Sequence, residues 1–228
     1  MRRSALLAGG LAAALFPYLA RAAAPAVRIA ALGDSLALGT GASRADGGFI
    51  FPAFRELLLR RPGSRIDNMA IGGATVADVL RLEVPRLAGM RYDAIVICAG
   101  GNDVLRRTGG AEFARSYALL LERVRALVPG ARLICCGVPD VGISPLFADE
   151  QAAIAAASAR DDRSVRNAAS AAGAAFVDLY SVTRAQRDAA RFLGRDRFHP
   201  SDRGYALFAR VLAPVLEAAA VRRRERES

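Results

Sequence analysis

The sequence predicts an α/β domain in which a parallel sheet is covered by helices on both faces. Short continuous apolar runs recur along the chain with longer helix-patterned segments between them, and small polar residues gather where the runs stop. An unbroken apolar run of about five residues suits a strand buried on both faces, since neither face leaves room for a polar side chain.

The runs at 27–32, 65–69, 94–99, 132–136 and 175–179 are read as five strands, each taken as buried on both faces. Segments 49–60, 75–82, 111–128 and 149–172 carry apolar residues at helical spacing, and 204–220 closes the chain with another helix. Pro129-Gly130 stops one helix, and Gly173 follows another where a C-terminal glycine belongs. No internal repeat occurs, and no linker precedes the tail.

Residues 1–22 do not read as part of this fold. Arg2 and Arg3 give a positive start, 5–15 is apolar with only glycine interrupting, and Ala20-Arg21-Ala22 is a small-x-small cleavage signal. This is the pattern of a secretory signal peptide, so the mature protein is expected outside the cytoplasm, periplasmic or extracellular. A membrane anchor fits less well, because the apolar stretch is well short of the roughly 20 residues a spanning helix needs. Arg2-Arg3 followed by Leu6-Leu7 hints at a twin-arginine signal, but no Ser or Thr precedes the arginines, and the export route stays open. Residues 23–221 are read as one domain and 222–228 as a charged tail, with no stable membrane insertion of the mature chain expected.

The formal charge is +10, yet three arginines leave with the signal and four lie in the tail. The remaining arginines are scattered among acids on helical segments, with no basic stripe interleaved with aromatics. Nucleic acid is therefore not an expected partner. All 32 basic residues are arginine, which excludes a Walker A phosphate loop because that loop needs its lysine. Cys98, Cys135 and Cys136 fall in apolar runs and read as buried free thiols, although a bridge from Cys98 to either of the others stays open. One histidine and no Cys-x-x-Cys give a zinc site little support, and no cofactor is implied.

The chemistry points to strand ends. Gly33-Asp34-Ser35 follows the first strand, Asn68 to Thr75 leads from the second into a helix, and Gly100-Gly101-Asn102-Asp103 follows the third. In open parallel sheets the ligand crevice lies at the carboxyl ends of strands. The only histidine, His199, stands three residues after Asp196 in Asp196-Arg197-Phe198-His199-Pro200. A serine needs a base to take its proton and a third group to orient that base, and Ser35, His199 and Asp196 would supply all three. Taken singly, each is as readily structural: Ser35 a helix cap, Gly73 a turn residue, Asn102 a loop amide.

Together the four blocks resemble those of the GDSL-type SGNH hydrolases: Gly33-Asp34-Ser35-Leu36, then Asn68 through Thr75, then Gly100 through Asp103, then Asp196 through Pro200. The resemblance spans nearly all of the mature chain. It implies a three-layer flavodoxin-like sandwich with a five-stranded, mainly parallel sheet, and ester hydrolysis through an acyl-enzyme. It assigns Ser35 as nucleophile, His199 as base and Asp196 as its partner. It makes Gly73 and Asn102 oxyanion donors. From the residues themselves, the Ser35 N–H at a strand-to-helix turn would face the same charge, Asp34 reads as a loop organiser and Asp103 as a helix cap or support for the hole.

Two other enzyme readings fail on spacing. Gly39-Thr40-Gly41 does not complete Gly-x-Gly-x-x-Gly, and no Gly-x-Ser-x-Gly elbow is present. A non-catalytic lipid- or glycan-binding relative is the alternative of another class. Substrates are expected to be small-acyl esters first, then lysophospholipids or O-acetylated glycan and peptidoglycan. Val141, Ile143, Leu146 and Phe147 are expected to form an acyl-binding wall. The oligomeric state stays open.

Overall fold

Five strands lie side by side in the order β2-β1-β3-β4-β5, every neighbouring pair parallel, in a computed structural model that describes residues 24–221. The predicted signal segment and tail lie outside the described residues. In chain order the elements are β1 (Arg28–Gly33), α1 (Ser35–Leu38), α2 (Ile50–Arg60), β2 (Arg65–Asn68), α3 (Val76–Asp78), β3 (Ala94–Cys98), α4 (Gly101–Leu105), α5 (Gly110–Leu127), β4 (Arg132–Cys136), α6 (Gln151–Ala171), β5 (Ala175–Val177), α7 (Leu179–Arg184), α8 (Ala189–Phe192) and α9 (Asp202–Val221).

The strand alternation divides the interior. Ile29, Ala31, Val96, Cys98, Ile134 and Cys136 face a core closed by α2 and α9, with Phe49, Tyr205 and Phe208 fully buried in it. Ala30, Leu32, Ile95, Ile97, Leu133 and Cys135 face the opposite core, which holds Phe113, Tyr117 and Val165 of α5 and α6. These are the three layers expected, in the strand order of flavodoxin-like sheets.

Two expectations need correction. β2 is an edge strand with no buried residue, and β5, at the other edge, buries only Val177. Only the central strands are covered on both faces, because an edge strand lacks a neighbour on one side. The helix expected over 75–82 is not one α-helix either: α3 passes into a π-helical turn at Val79–Glu83 and then a 3₁₀ turn at Val84–Leu87. The wider turn brings Glu83 into the core, where it is fully buried.

The three cysteines are free and buried. Cys98 and Cys136, on adjacent strands and the same face, hydrogen-bond to each other, which with burial holds the Cys98 thiol well above its ordinary pKa. Cys135 faces the other core beside Tyr117, and its thiol is pushed up to about 12, chiefly by burial.

Candidate active site

The strand order reverses direction at β1, with β2 on one side and β3 on the other, and a crevice opens above the carboxyl ends of such strands. Gly33 ends β1 at φ +145°, and a Cβ there would lie 1.9 Å from the Cys98 carbonyl oxygen. Only glycine lets β1 turn this close to β3. Asp34 then donates its N–H to the same carbonyl at 3.1 Å, and its side chain caps α1 by accepting from the Leu36 N–H at 2.9 Å. Ser35 is thus the first residue of α1, a position where the N–H has no intrahelical acceptor.

His199 arrives on the loop between α8 and α9. Leu193 and Pro200 form an isolated bridge across the base of this loop, and the Gly194 N–H donates to the His199 carbonyl at 2.7 Å. Asp196 Oδ1 accepts from the N–H groups of Phe198 and His199, both at 3.0 Å. Its other oxygen, Oδ2, lies 2.6 Å from His199 Nδ1, and His199 Nε2 lies 2.8 Å from Ser35 Oγ. Burial works to raise the Asp196 pKa, but the bonds from the His199 ring and the two amides outweigh it and hold the carboxyl below its ordinary value. Arg197, between the partners, adopts φ +59°, a conformation that costs a residue with a side chain roughly 1–2 kcal/mol. The Ser144 hydroxyl secures this turn by donating to the Arg197 carbonyl at 2.7 Å.

The other predicted members gather on the opposite side. Gly73 has φ +79°, and a Cβ there would meet nothing within 4 Å, so its side of the loop is open. Asn102, on α4, donates through Nδ2 to the Ala74 carbonyl at 3.0 Å and reaches Asp34 Oδ2 at 3.5 Å. Asn68 anchors the start of the same loop, donating to the Ala37 carbonyl at 2.8 Å. Asp103 accepts from the Val76 N–H at 3.0 Å, so it caps the first residue of α3 from a neighbouring helix. The seven predicted residues therefore converge on one crevice, with Asp34 and Asp103 buried beneath it.

Burial also acts on those two acids. Asp34 is raised to about 7 chiefly by desolvation, opposed by the Leu36 N–H, with Asp103 adding to the rise. Asp103 is raised to about 6, again chiefly by burial. Among the described residues no group of three or more His, Cys, Asp or Glu is arranged to hold a metal ion.

An apolar cavity of about 60 Å³ adjoins Ser35 and His199, walled by Cys98, Val141, Ile143, Phe192, Phe198 and Phe208. Two of the four residues expected in an acyl-binding wall, Val141 and Ile143, are there. Leu146 instead is 53% exposed, and Phe147 packs edge-on against Phe198, 5.9 Å between ring centroids, outside the lining. The 3₁₀ turn at Pro145–Glu150 carries both away from the crevice.

Sequence reasoning missed Glu83. Its Oε2 accepts from the Gly33 N–H at 2.8 Å, and Ile71 donates to the Gly33 carbonyl at 3.0 Å. The peptide units before and after Gly33 are thus both held, and the Ser35 turn is tied to the Gly73 loop. The available signal was an acid four residues after Val79, on a face otherwise set by Val76, Val79 and Leu87.

The chain is 30% identical over 200 residues to a GDSL-like esterase of Mycobacterium tuberculosis, a match covering 85% of this chain and 62% of that protein, so it spans less than two thirds of that relative's length. Among solved structures it is similar to an acetylxylan esterase of Geobacillus stearothermophilus, with TM-score 0.66 and 22% identity over 84% of this chain and 94% of that one. A lipase/acylhydrolase of Enterococcus faecalis superposes with TM-score 0.67 and 19% identity, covering 84% and 96%. At these identities the structural likeness speaks for the fold. The sequence match over residues 31–207 speaks for descent: the chain belongs to the GDSL-like Lipase/Acylhydrolase family.

Proposed function

We propose that the chain is an exported serine esterase that cleaves carboxylic esters of small acyl groups through an acyl-enzyme. One observation carries the reading: Asp196, His199 and Ser35 form an unbroken relay at 2.6 and 2.8 Å. His199 Nε2 takes the Ser35 proton as Oγ bonds to the ester carbonyl carbon. The resulting oxyanion is met by the N–H groups of Ser35 and Gly73 and by the Asn102 amide. Asn102 Nδ2 gives one hydrogen to Ala74 and lies a long 3.5 Å from Asp34 Oδ2, so its second, only loosely held hydrogen is the one assigned to the oxyanion. Collapse breaks the bond to the alcohol, which leaves with the proton from His199. Water, deprotonated in turn by His199, then attacks the acyl-serine, releasing the acid and restoring Ser35. Asp196 stays ionised throughout, fixing the tautomer and balancing the imidazolium.

The cavity supports the acyl preference. It is small, about 60 Å³, and walled by apolar side chains, which favours a short acyl chain over a long one. Acetyl groups on a glycan would fit the same space, since the cavity measures the acyl side and not the alcohol. Turnover of 4-nitrophenyl esters from acetate to dodecanoate, with and without Ser35→Ala, tests both parts. Ser35→Ala should lose about a millionfold in turnover, and Asn102→Ala about a hundred- to a thousandfold. Activity should be highest on the shortest esters of the series and fall as the acyl chain lengthens. A folded Ser35→Ala protein working near the wild-type rate overturns the mechanism, and a preference for long chains overturns the small-acyl reading.

A further inference from the structure

The residue that caps the end of α4 brings a second side chain to the Gly73 loop. Four residues after Asn102, and so on the same helical face, Arg106 donates through Nη2 to the Gly73 carbonyl at 3.1 Å. Asn102 holds the next carbonyl along, that of Ala74, at 3.0 Å. The two side chains differ in what they have left over. Asn102 has one loosely held hydrogen, whereas a guanidinium has five N–H donors and a full charge, and Arg106 is exposed.

That charge is not neutralised by a carboxylate. Its neighbour Arg107 pairs with Glu150 at 2.6 Å, but no ion pair among the described residues includes Arg106. The acids on adjoining elements are otherwise occupied. Asp78 bonds Thr75 and Arg81, and Asp103 is buried against the Val76 N–H. Beside Gly73 the space is open, since a Cβ there would meet nothing within 4 Å, and the guanidinium reaches the same residue's carbonyl.

We propose that Arg106 selects esters whose alcohol portion carries an anionic group. This rests on the esterase reading above: with a small acyl group in the apolar cavity, the alcohol arm extends outward past the Gly73 loop toward the guanidinium. A planar guanidinium matches a carboxylate or phosphate with two parallel N–H donors, and the spare donors of Arg106 provide for that while one stays on Gly73. Arg106 is thus a specificity-determining residue on the side of the crevice away from the cavity.

The test compares 4-acetoxybenzoate with the neutral 4-acetoxybenzamide, which differ at the far end of the alcohol. The quantity read is the ratio of their kcat/KM values in wild type, Arg106→Gln and Arg106→Lys. Loss of support for the Gly73 carbonyl lowers both substrates alike and leaves the ratio unmoved, so the ratio isolates recognition of the charge. It should fall about tenfold in Arg106→Gln, the low end for a hydrogen bond to a charged group at an exposed site. Arg106→Lys, which keeps the charge but not the two parallel donors, should retain only part of it, and raised salt should reduce it in wild type by screening. A ratio identical in wild type and Arg106→Gln overturns this proposal while leaving the esterase standing. Wild-type protein that cleaves neither ester overturns the esterase reading and this proposal with it.

Discussion

Replacing Glu83 with glutamine should change how stability depends on pH. Glu83 is fully buried, and burial raises its carboxyl from 4.5 to about 7 against the pull of the Gly33 and Ile71 N–H groups; Asp34 adds to the rise and Arg86 opposes it. Between those two values the folded chain binds a proton that the unfolded chain has released. Stability from this group is therefore fully present in acid and declines as pH rises past 4.5, and the penalty is complete above about 7. At about 1.4 kcal/mol per pKa unit the whole shift amounts to roughly 3 kcal/mol. About 1 kcal/mol of that is already lost at about pH 5, so wild type should lose about 2 kcal/mol more between about pH 5 and pH 8.

Glutamine keeps an oxygen for the Gly33 N–H but places an amide nitrogen where Oε1 has no hydrogen-bond partner. An unsatisfied buried donor costs about 1–3 kcal/mol, and this cost is the same at both pH values. The absolute stability of Glu83→Gln thus says little, and the difference between the two pH values says a great deal. Urea unfolding of both proteins at about pH 5 and pH 8 reads it directly. Asp34 and Asp103 also ionise in this range in both proteins; the Asp34–Glu83 repulsion disappears with the substitution, so the difference between the curves reads Glu83 together with that coupling. Wild type and variant with parallel stability–pH curves would refute the reasoning.

Asp196→Asn should leave the fold intact, because an amide oxygen can still accept from the Phe198 and His199 N–H groups, yet lower turnover about ten-thousandfold through loss of the productive tautomer. A fall of less than tenfold in kcat would count against Asp196 as the orienting partner. His199 is the only histidine, so diethyl pyrocarbonate should inactivate with one imidazole modified per chain and hydroxylamine should restore activity; full modification with ester hydrolysis unchanged rules it out as the base. If residues 1–22 are removed on export, intact mass should place the mature N-terminus near Ala23. A dominant species that retains Met1 in the membrane fraction would favour an anchor instead.

What could be read from the sequence divides along a physical line. The sheet was legible because β1, β3 and β4 are buried on both faces, and that demand leaves an unbroken apolar run in the chain. The relay was legible because its chemistry restricts residue type: only one histidine exists, and the topology returns each candidate to a strand's carboxyl end. α7 and α8 were missed because helices of six and four residues are too short to show a period. The cavity was missed in part for a different reason. Its walls come from β3, from the segments after β4 and β5, from the histidine loop and from α9, so no local pattern marks Phe192 or Phe208 as lining rather than core. Glu83 and Arg106 share that difficulty: each acts on a backbone group of the Gly33 or Gly73 turn, 50 and 33 residues away, and a backbone group carries no residue type for a sequence to display. Two kinds of contact thus shape this crevice, and the side chains that hold the turns in place became visible only once the turns themselves had been folded.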